Sequence, residues 1–220
     1  MKKILLAFNT ILFLAVIVAT VHAEPVIVGS DSTVIVDGDV YTLKSQPPNY
    51  TGLMWEEEQG VMGVCGCGTQ AFRAMQAMAA YLGVDEFSRS IAIKTGWSTD
   101  GAEEMYVGKM GWINGVNFSY GEAVTDPDYL TLQDAWYRFT VGGRTFLVTM
   151  DAHNYRFTPD PTHPGHHEGW SFFDYRTYAK THATGQEKAY FKDVVRPQFI
   201  SNLMGETVFD VSLEVRVGRY

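Results

Sequence analysis

The sequence predicts an α+β fold with a mainly antiparallel sheet and packed helices. Two pairs of strand-like segments are joined by short turn signals, Asp37-Gly38-Asp39 in the first pair and Gly142-Gly143 in the second. The helical patterns cluster along the chain instead of alternating with the strands. This clustering favours an α+β fold over a parallel α/β sheet.

The N-terminal part combines a targeting pattern, a hairpin and a long helix. Val26 to Ser45 predicts the hairpin, and Trp55 to Gln59 predicts the start of a short acidic helix. A longer helix begins near Gly68 or Thr69 and ends at Gly83, a natural C-cap. Its apolar positions recur at three- and four-residue steps: Ala71, Met75, Met78, Ala79 and Leu82.

The rest of the chain contains short strands, further helices and one irregular segment. Strands are predicted at Arg89–Thr95, Val116–Tyr120, Ala135–Val141, Arg144–Met150 and Thr207–Val217. Helices are predicted at Ala102–Met110, Ser171–His182 and Gln186–Leu203, the last interrupted at Pro197. The irregular segment, Asp151 to Gly169, contains three prolines and four histidines.

Residues 1–23 have the pattern of a signal peptide. Lys2 and Lys3 precede an apolar run from Ile4 to Ala19, and Val21-His22-Ala23 supplies small residues at the cleavage positions. The run is short for a membrane-spanning helix, which needs about 20 apolar residues; an uncleaved anchor is the alternative. We therefore expect an exported protein, periplasmic or extracellular, in which residues 24–220 form one domain.

Charge and length limit the classes of partner. The chain has 220 residues and a formal net charge of −8. An acidic chain is a poor match for nucleic acid or anionic lipid, so we expect no nucleic-acid partner and no membrane contact after signal cleavage. Its charge is compatible with metals and cationic ligands, and its length suits one domain with a sizeable core.

The two cysteines, Cys65 and Cys67, stand in a glycine-rich stretch just before the long helix. Backbone N–H groups and the helix dipole at such a position favour a thiolate. A disulfide between cysteines one residue apart would close a small, strained ring that is easily reduced. The pair therefore predicts a metal site, a nucleophile or redox exchange; the alternative is two small residues in a tight turn.

The irregular segment supplies a second group of candidate residues, His153, His163, His166 and His167. Imidazoles bind zinc, copper and iron, although this spacing lacks the i, i+4 pattern of a helical metal motif. A solvated loop is the alternative. Because long connections are usually functional or disordered, we predict that the loop folds over the helix at Cys65 and brings an imidazole within reach of a thiol.

Motifs from Glu57 to Met150 resemble the E-subunit family of formylmethanofuran dehydrogenase, especially its stand-alone relatives. They are a Cys-Gly loop, an FRAM helix, a strand ending in TGWSTDGAEEMY, and YLTLQDAWYRF before a hairpin. The resemblance implies a fold similar to the glyceraldehyde-3-phosphate dehydrogenase catalytic domain, a bound metal, usually zinc, and a homodimer. Cys65 and Asp100 match family positions, whereas Val61 and Gly63 replace its histidines.

The leading interpretation is an exported domain that binds zinc or another transition metal. Cys65 is the first expected ligand, followed by Cys67 and one or two of the four histidines. Asp100 is a candidate ligand-binding residue, with a helix cap as the alternative. Two other functions stay open: a thiol enzyme with a loop histidine as base, and a non-enzymatic module that binds metal or a small ligand. The sequence leaves open whether the protein is an enzyme.

Overall fold

Two β-sheets and a set of helices form an α+β fold, as the sequence predicts. The computed structural model describes residues 23–29, 33–45, 53–57, 60–64, 66–96, 100–121, 136–182 and 185–214. Residues 1–22 of the predicted signal peptide, the segment at 46–50 and Cys65 lie outside these ranges. Among the described helices, none has the length and apolar character needed to cross a membrane.

The strands form a larger and a smaller sheet. In chain order they are β1 (Glu24–Val28), β2 (Thr33–Val36), β3 (Asp39–Ser45), β4 (Leu53–Glu57), β5 (Gly60–Val64), β6 (Glu86–Phe87), β7 (Ala92–Thr95), β8 (Phe118–Tyr120), β9 (Trp136–Val141), β10 (Arg144–Met150) and β11 (Thr207–Glu214). Within the described residues, the larger sheet has the order β1-β11-β10-β9-β7-β8. The smaller sheet has the order β5-β4-β3-β2-β6.

Both predicted hairpins are confirmed. β2 pairs with β3 around Asp37 and Gly38, whose φ angles are 47° and 84°. β9 pairs with β10 around Gly142 and Gly143, whose φ angles are 57° and 75°. Positive φ at both central residues matches the twist of the flanking strands, which is why the sequence reveals these short turns.

Both sheets are mixed, which corrects the predicted mainly antiparallel sheet. Among the described strands, β7 pairs in parallel with β8, and β2 pairs in parallel with β6. Turn signals reveal only antiparallel neighbours, because parallel neighbours need a long crossover connection. The prediction therefore missed the pairs that the crossovers create.

The segment predicted as a short acidic helix, Trp55 to Gln59, is also corrected. Residues Leu53–Glu57 form β4, which pairs with β3 on one side and β5 on the other. Backbone hydrogen bonds to two neighbouring strands outweigh the weak local preference of three consecutive glutamates for a helix.

A buried central helix lies between the larger sheet and the other helices. The helices are α1 (Gly66–Leu82), α2 (Asp100–Glu103), α3 (Phe172–Thr181), α4 (Gln186–Tyr190) and α5 (Arg196–Met204). Helix α1 contacts β1, β9, β10 and β11 on one side and α2 and α5 on others. It begins before the predicted Gly68 or Thr69, so Cys67 belongs to its first turn, and it ends at Gly83 as predicted.

Arg73 joins α1 to the end of α5. Its side chain is fully buried and donates to the carbonyl oxygens of Leu203 at 2.6 Å, Gly205 at 3.2 Å and Gly29 at 3.0 Å. The last carbonyls of a helix lack partners within the helix and favour a cation. This contact places α5 next to α1.

Helices α4 and α5 form one run that a π-helical turn, Phe191–Val195, connects. Pro197 lies in the first turn of α5, where the backbone N–H that proline lacks would have no partner within the helix. The predicted interruption at Pro197 is thus a change of helical pitch just before it. This run and α3 form the helical layer beside the first turn of α1.

Candidate functional site

A cleft of about 300 Å³ opens where the first turn of α1 meets the helical layer. We call it the α1 cleft. It is lined by Gly66, Cys67, Gln70, Tyr155, Phe172, Arg176, Ala179, Lys188, Phe191, Lys192, Arg196 and Phe199. Most of the surface that lines the cleft is apolar, and most of its polar groups belong to side chains of α1, α3 and the helical run.

Aromatic rings build the apolar wall of the α1 cleft. Tyr155 stacks on Phe199 with the ring centroids 5.5 Å apart, and its hydroxyl accepts from the side-chain amide of Gln70 at 2.8 Å. Phe172 lies 4.5 Å from Phe199. A Cβ at Gly66 would lie 3.1 Å from the Phe199 ring, so glycine allows α1 to begin this close to α5. The wall is therefore held in place by contacts among four elements: α1, the 3₁₀ turn with Tyr155, α3 and α5.

Four cations line the cleft: Arg176, Lys188, Lys192 and Arg196. Arg176 comes from α3 and is only 8% exposed, whereas the other three lie at four-residue steps along the helical run. Lys188 also donates to the carbonyl oxygen of His182 at 3.0 Å. Among the described lining residues none is acidic. In a chain with a net charge of −8, this is a local reversal of sign.

The sequence patterns did not single out these cations. Each cation occupies a helical position of the kind that usually faces solvent, so none of them indicated a ligand contact. One signal was present: Lys188, Lys192 and Arg196 repeat every four residues, and Phe191 lies beside Lys192. A basic stripe next to an aromatic ring can indicate a ligand cleft, but only the fold brings Arg176 to it.

Cys67 is partly exposed on the wall of the α1 cleft. It lies inside the first turn of α1, where backbone N–H groups point towards the helix N-terminus. Cys65 and the side chain of Asp100 lie outside the described residues, although the backbone of Asp100 begins α2. Among the predicted site residues whose side chains the structure describes, Cys67 is therefore the one that lines the cleft.

The other candidates, the four histidines, lie elsewhere. His163 and His166 pack against Tyr190, with ring centroids 4.9 Å and 5.7 Å away. The His167 ring stacks on Trp170 at 4.4 Å, and its Nε2 lies 3.0 Å from a carboxylate oxygen of Glu187. This hydrogen bond lowers the pKa of Glu187 below 4.5. The segment thus packs on α3 and α4.

His153 lies in a 3₁₀ turn directly after β10 and faces a second pocket, which Asn202 and Glu206 also line. Its backbone N–H donates to Asp151 Oδ1 at 2.8 Å, and its Nδ1 lies 2.7 Å from the same oxygen. The backbone hydrogen bond, followed by the imidazole contact, holds the pKa of Asp151 below 3.8. A charged carboxylate therefore orients this ring.

The structure does not gather the four histidines around Cys67. None of them lines the α1 cleft, and the described residues contain no group of three His, Cys, Asp or Glu side chains that could hold a metal ion. The prediction that the loop brings an imidazole within reach of a thiol stays a prediction for Cys65, which lies outside the described ranges.

Comparisons of this chain with protein-family models, with curated proteins and with solved structures found no match. The resemblance to the E-subunit family therefore depends on the motifs alone. A function for this chain must be inferred from the geometry and charge of the α1 cleft.

Proposed function

We propose that this protein binds a small organic anion with an apolar body in the α1 cleft. One observation carries the proposal: every charged side chain among the described lining residues is a cation, and the rest of the wall is largely apolar. Like charges held close together repel each other, and a bound anion relieves that repulsion. This corresponds to the small-ligand-binding module that the sequence left open.

The dimensions of the cleft support a small molecule. Its volume of about 300 Å³ is at the lower end of the range for ligand pockets. The aromatic wall at Tyr155, Phe172 and Phe199 would take the apolar body. Arg176 would hold the anionic group most strongly, because its charge is buried and a guanidinium stays protonated.

Paired fluorescent probes test this proposal. Anilinonaphthalene sulfonate and its neutral analogue phenylnaphthylamine share an apolar body but differ in charge. We expect the wild type to bind the anion more tightly, and Arg196→Gln to weaken anion binding about tenfold with little effect on the neutral probe. Lys94→Gln, an exposed lysine on β7 outside the cleft, is the matched control. Equal loss of both probes in Arg196→Gln would contradict the proposal.

We also propose metal binding, by zinc or another transition metal, as a second function. The Asp151–His153 pair favours it, since a metal-binding histidine usually donates its other ring N–H to a carboxylate. The described residues supply this oriented imidazole, and a second at His167 beside Glu187, but no set of three ligands. A complete site would therefore need Cys65, as the family resemblance implies.

Metal analysis tests this second function. Protein purified without a chelator should contain about one transition metal per chain, the ordinary stoichiometry of one site. Cys65→Ser and His153→Ala should each lose most of it, while His182→Ala, a surface histidine at the end of α3, should not. Metal-free wild type would exclude this function and leave the anion-binding proposal intact.

We further propose that the chain is a diverged, exported member of the E-subunit family. The α+β class and the buried FRAM helix are in line with that resemblance. The glyceraldehyde-3-phosphate dehydrogenase-like fold and the homodimer are parts of this proposal. Mass spectrometry of secreted or periplasmic protein should find cleavage after Ala23; intact Met1 in membrane fractions would instead support an uncleaved anchor.

A further inference from the structure

We infer that the anion bound in the α1 cleft carries a dianionic head group, a phosphomonoester on an apolar body. This inference rests on the proposed anion-binding function and names the class of ligand. It follows from the number of cations in the cleft, from the two helical elements that supply them, and from the helix N-terminus and aromatic rings in the same wall.

The cations approach the cleft from two helical elements. Lys188, Lys192 and Arg196 stand at i, i+4 and i+8 of one helical run and all line the cleft. Residues four apart lie on the same helix face, so these three form a stripe. Arg176 comes from α3, whose C-terminal end meets this run through the bond from Lys188 to His182. A head group between the stripe and Arg176 would contact cations from two helices.

The number of charges favours a dianion over a monocarboxylate. Four cations and no acidic side chain occur among the described lining residues. A carboxylate neutralises one charge and offers two oxygens. A phosphomonoester carries close to two negative charges near neutral pH and offers three acceptor oxygens. Lys188 also donates to the carbonyl oxygen of His182, and Arg176, Lys192 and Arg196 line the same cleft.

The N-terminus of α1 adds to this preference. Gly66 and Cys67, in the first turn of this 17-residue helix, line the same cleft as the cations. The N-terminal end of a helix is the positive end of its dipole, which favours a phosphate group nearby. The aromatic rings of Phe172 and Phe199 form the apolar part of the same wall. Both ends of a phosphorylated apolar molecule thus have complementary surfaces in one cleft.

A competition experiment tests the head group. Octyl phosphate and octanoate, which share an apolar chain, displace bound anilinonaphthalene sulfonate from the full-length protein at low ionic strength. Near pH 8 octyl phosphate should act at about tenfold lower concentration than octanoate. Near pH 5, below the second phosphate pKa of about 6, this preference should shrink. Lys192→Gln should reduce the preference about threefold, and Lys94→Gln should leave it unchanged.

Each outcome decides a separate point. Equal displacement by octyl phosphate and octanoate would overturn the dianionic head group while the anion-binding function stands. If neither compound nor the probe binds in calorimetry, the proposed function fails and the inference fails with it. Vesicles with and without phosphatidic acid separate a soluble ligand from a lipid. Sedimentation that requires phosphatidic acid and Lys192 would overturn the soluble phosphomonoester.

Discussion

Cys67 is the candidate residue on which the sequence and the geometry of the cleft converge. It lies in the first turn of α1 and shares the α1 cleft with Arg176 and Arg196. A positive potential around a thiol attracts anionic reagents and favours reaction of the thiolate. The same arrangement would suit a ligand-binding site or a thiol enzyme, so the reactivity of Cys67 tests both interpretations.

We predict that Cys67 prefers an anionic alkylating reagent. In a Cys65→Ser background Cys67 is the sole thiol of the chain. The ratio of its rate with iodoacetate to its rate with iodoacetamide should exceed that of glutathione by about threefold or more. Peptide mass spectrometry over time gives both rates.

The same ratio in Arg196→Gln should fall towards the glutathione value, and in Lys94→Gln it should not change. A ratio equal to that of glutathione in the wild type would argue against the positive cleft.

At the scale of elements, the histidine-rich segment is packed as part of the helical layer. His167 is held between Trp170 and Glu187, and the hydroxyl of Tyr190 accepts from the backbone N–H of Asp160. Gly165 lies against the first turn of α4. Its position explains why the segment contains a glycine where no positive φ requires one.

We predict that Gly165→Ala destabilises the protein. A Cβ at this position would lie 2.0 Å from the backbone oxygen of Gln186 and 2.7 Å from the backbone nitrogen of Glu187. Backbone atoms at a helix start cannot move aside as the tip of a flexible side chain does. The free energy of unfolding should fall by about 1–3 kcal/mol in a denaturant titration.

Gly29→Ala is the control for this prediction, because an added Cβ there would meet no heavy atom of the described residues within 4 Å. Its free energy of unfolding should stay within about 0.5 kcal/mol of the wild type. If Gly165→Ala were as stable as Gly29→Ala, the segment would not be packed against α4 as described.

At the scale of the whole molecule, Tyr106 connects the central helix to the larger sheet. Its ring is fully buried and packs against Tyr137 and Phe139 of β9, while its hydroxyl donates to the carbonyl oxygen of Ala71 at 2.6 Å. Burial raises the pKa of this phenol well above 10.0. The folded protein therefore holds the phenolic proton more tightly than the unfolded chain does.

This pKa shift predicts a loss of stability at alkaline pH. Below pH 10.0 the phenol is neutral in both states, so its contribution to stability is fully present. As the pH rises above 10.0, the unfolded chain loses this proton first, and the free energy of unfolding falls. Tyr106→Phe should be about 1 kcal/mol less stable near neutral pH, because the hydrogen bond is lost.

Above pH 10.0, Tyr106→Phe should lose stability less steeply than the wild type, since the titrating group is gone. Denaturant titrations of both proteins between neutral and alkaline pH measure the two slopes. Tyr41 and Tyr175, whose pKa values are also raised by burial, contribute equally to both proteins. Parallel curves would mean that Tyr106 is not a buried phenol.

Local physical chemistry let the sequence by itself determine several parts of this protein. The turns at Asp37-Gly38 and Gly142-Gly143, the end of α1 at Gly83 and the α+β class were all predicted correctly. Each depends on interactions between residues close in the chain: a backbone that accepts positive φ, or apolar residues at helical spacing. The sequence also predicts Cys67 as a site residue from its place beside a helix start, and the structure places Cys67 on the wall of the α1 cleft.

Only the tertiary structure decided which distant residues meet. It placed the histidine segment on α3 and α4, added the parallel pairs β2–β6 and β7–β8, and brought Arg176 and Arg196 to the cleft that Cys67 lines. More than 100 residues separate Cys67 from these cations in the chain. No local preference links such residues, because their proximity comes from burying α1 between the sheet and the helical layer. The charge of the α1 cleft is therefore a property of packing.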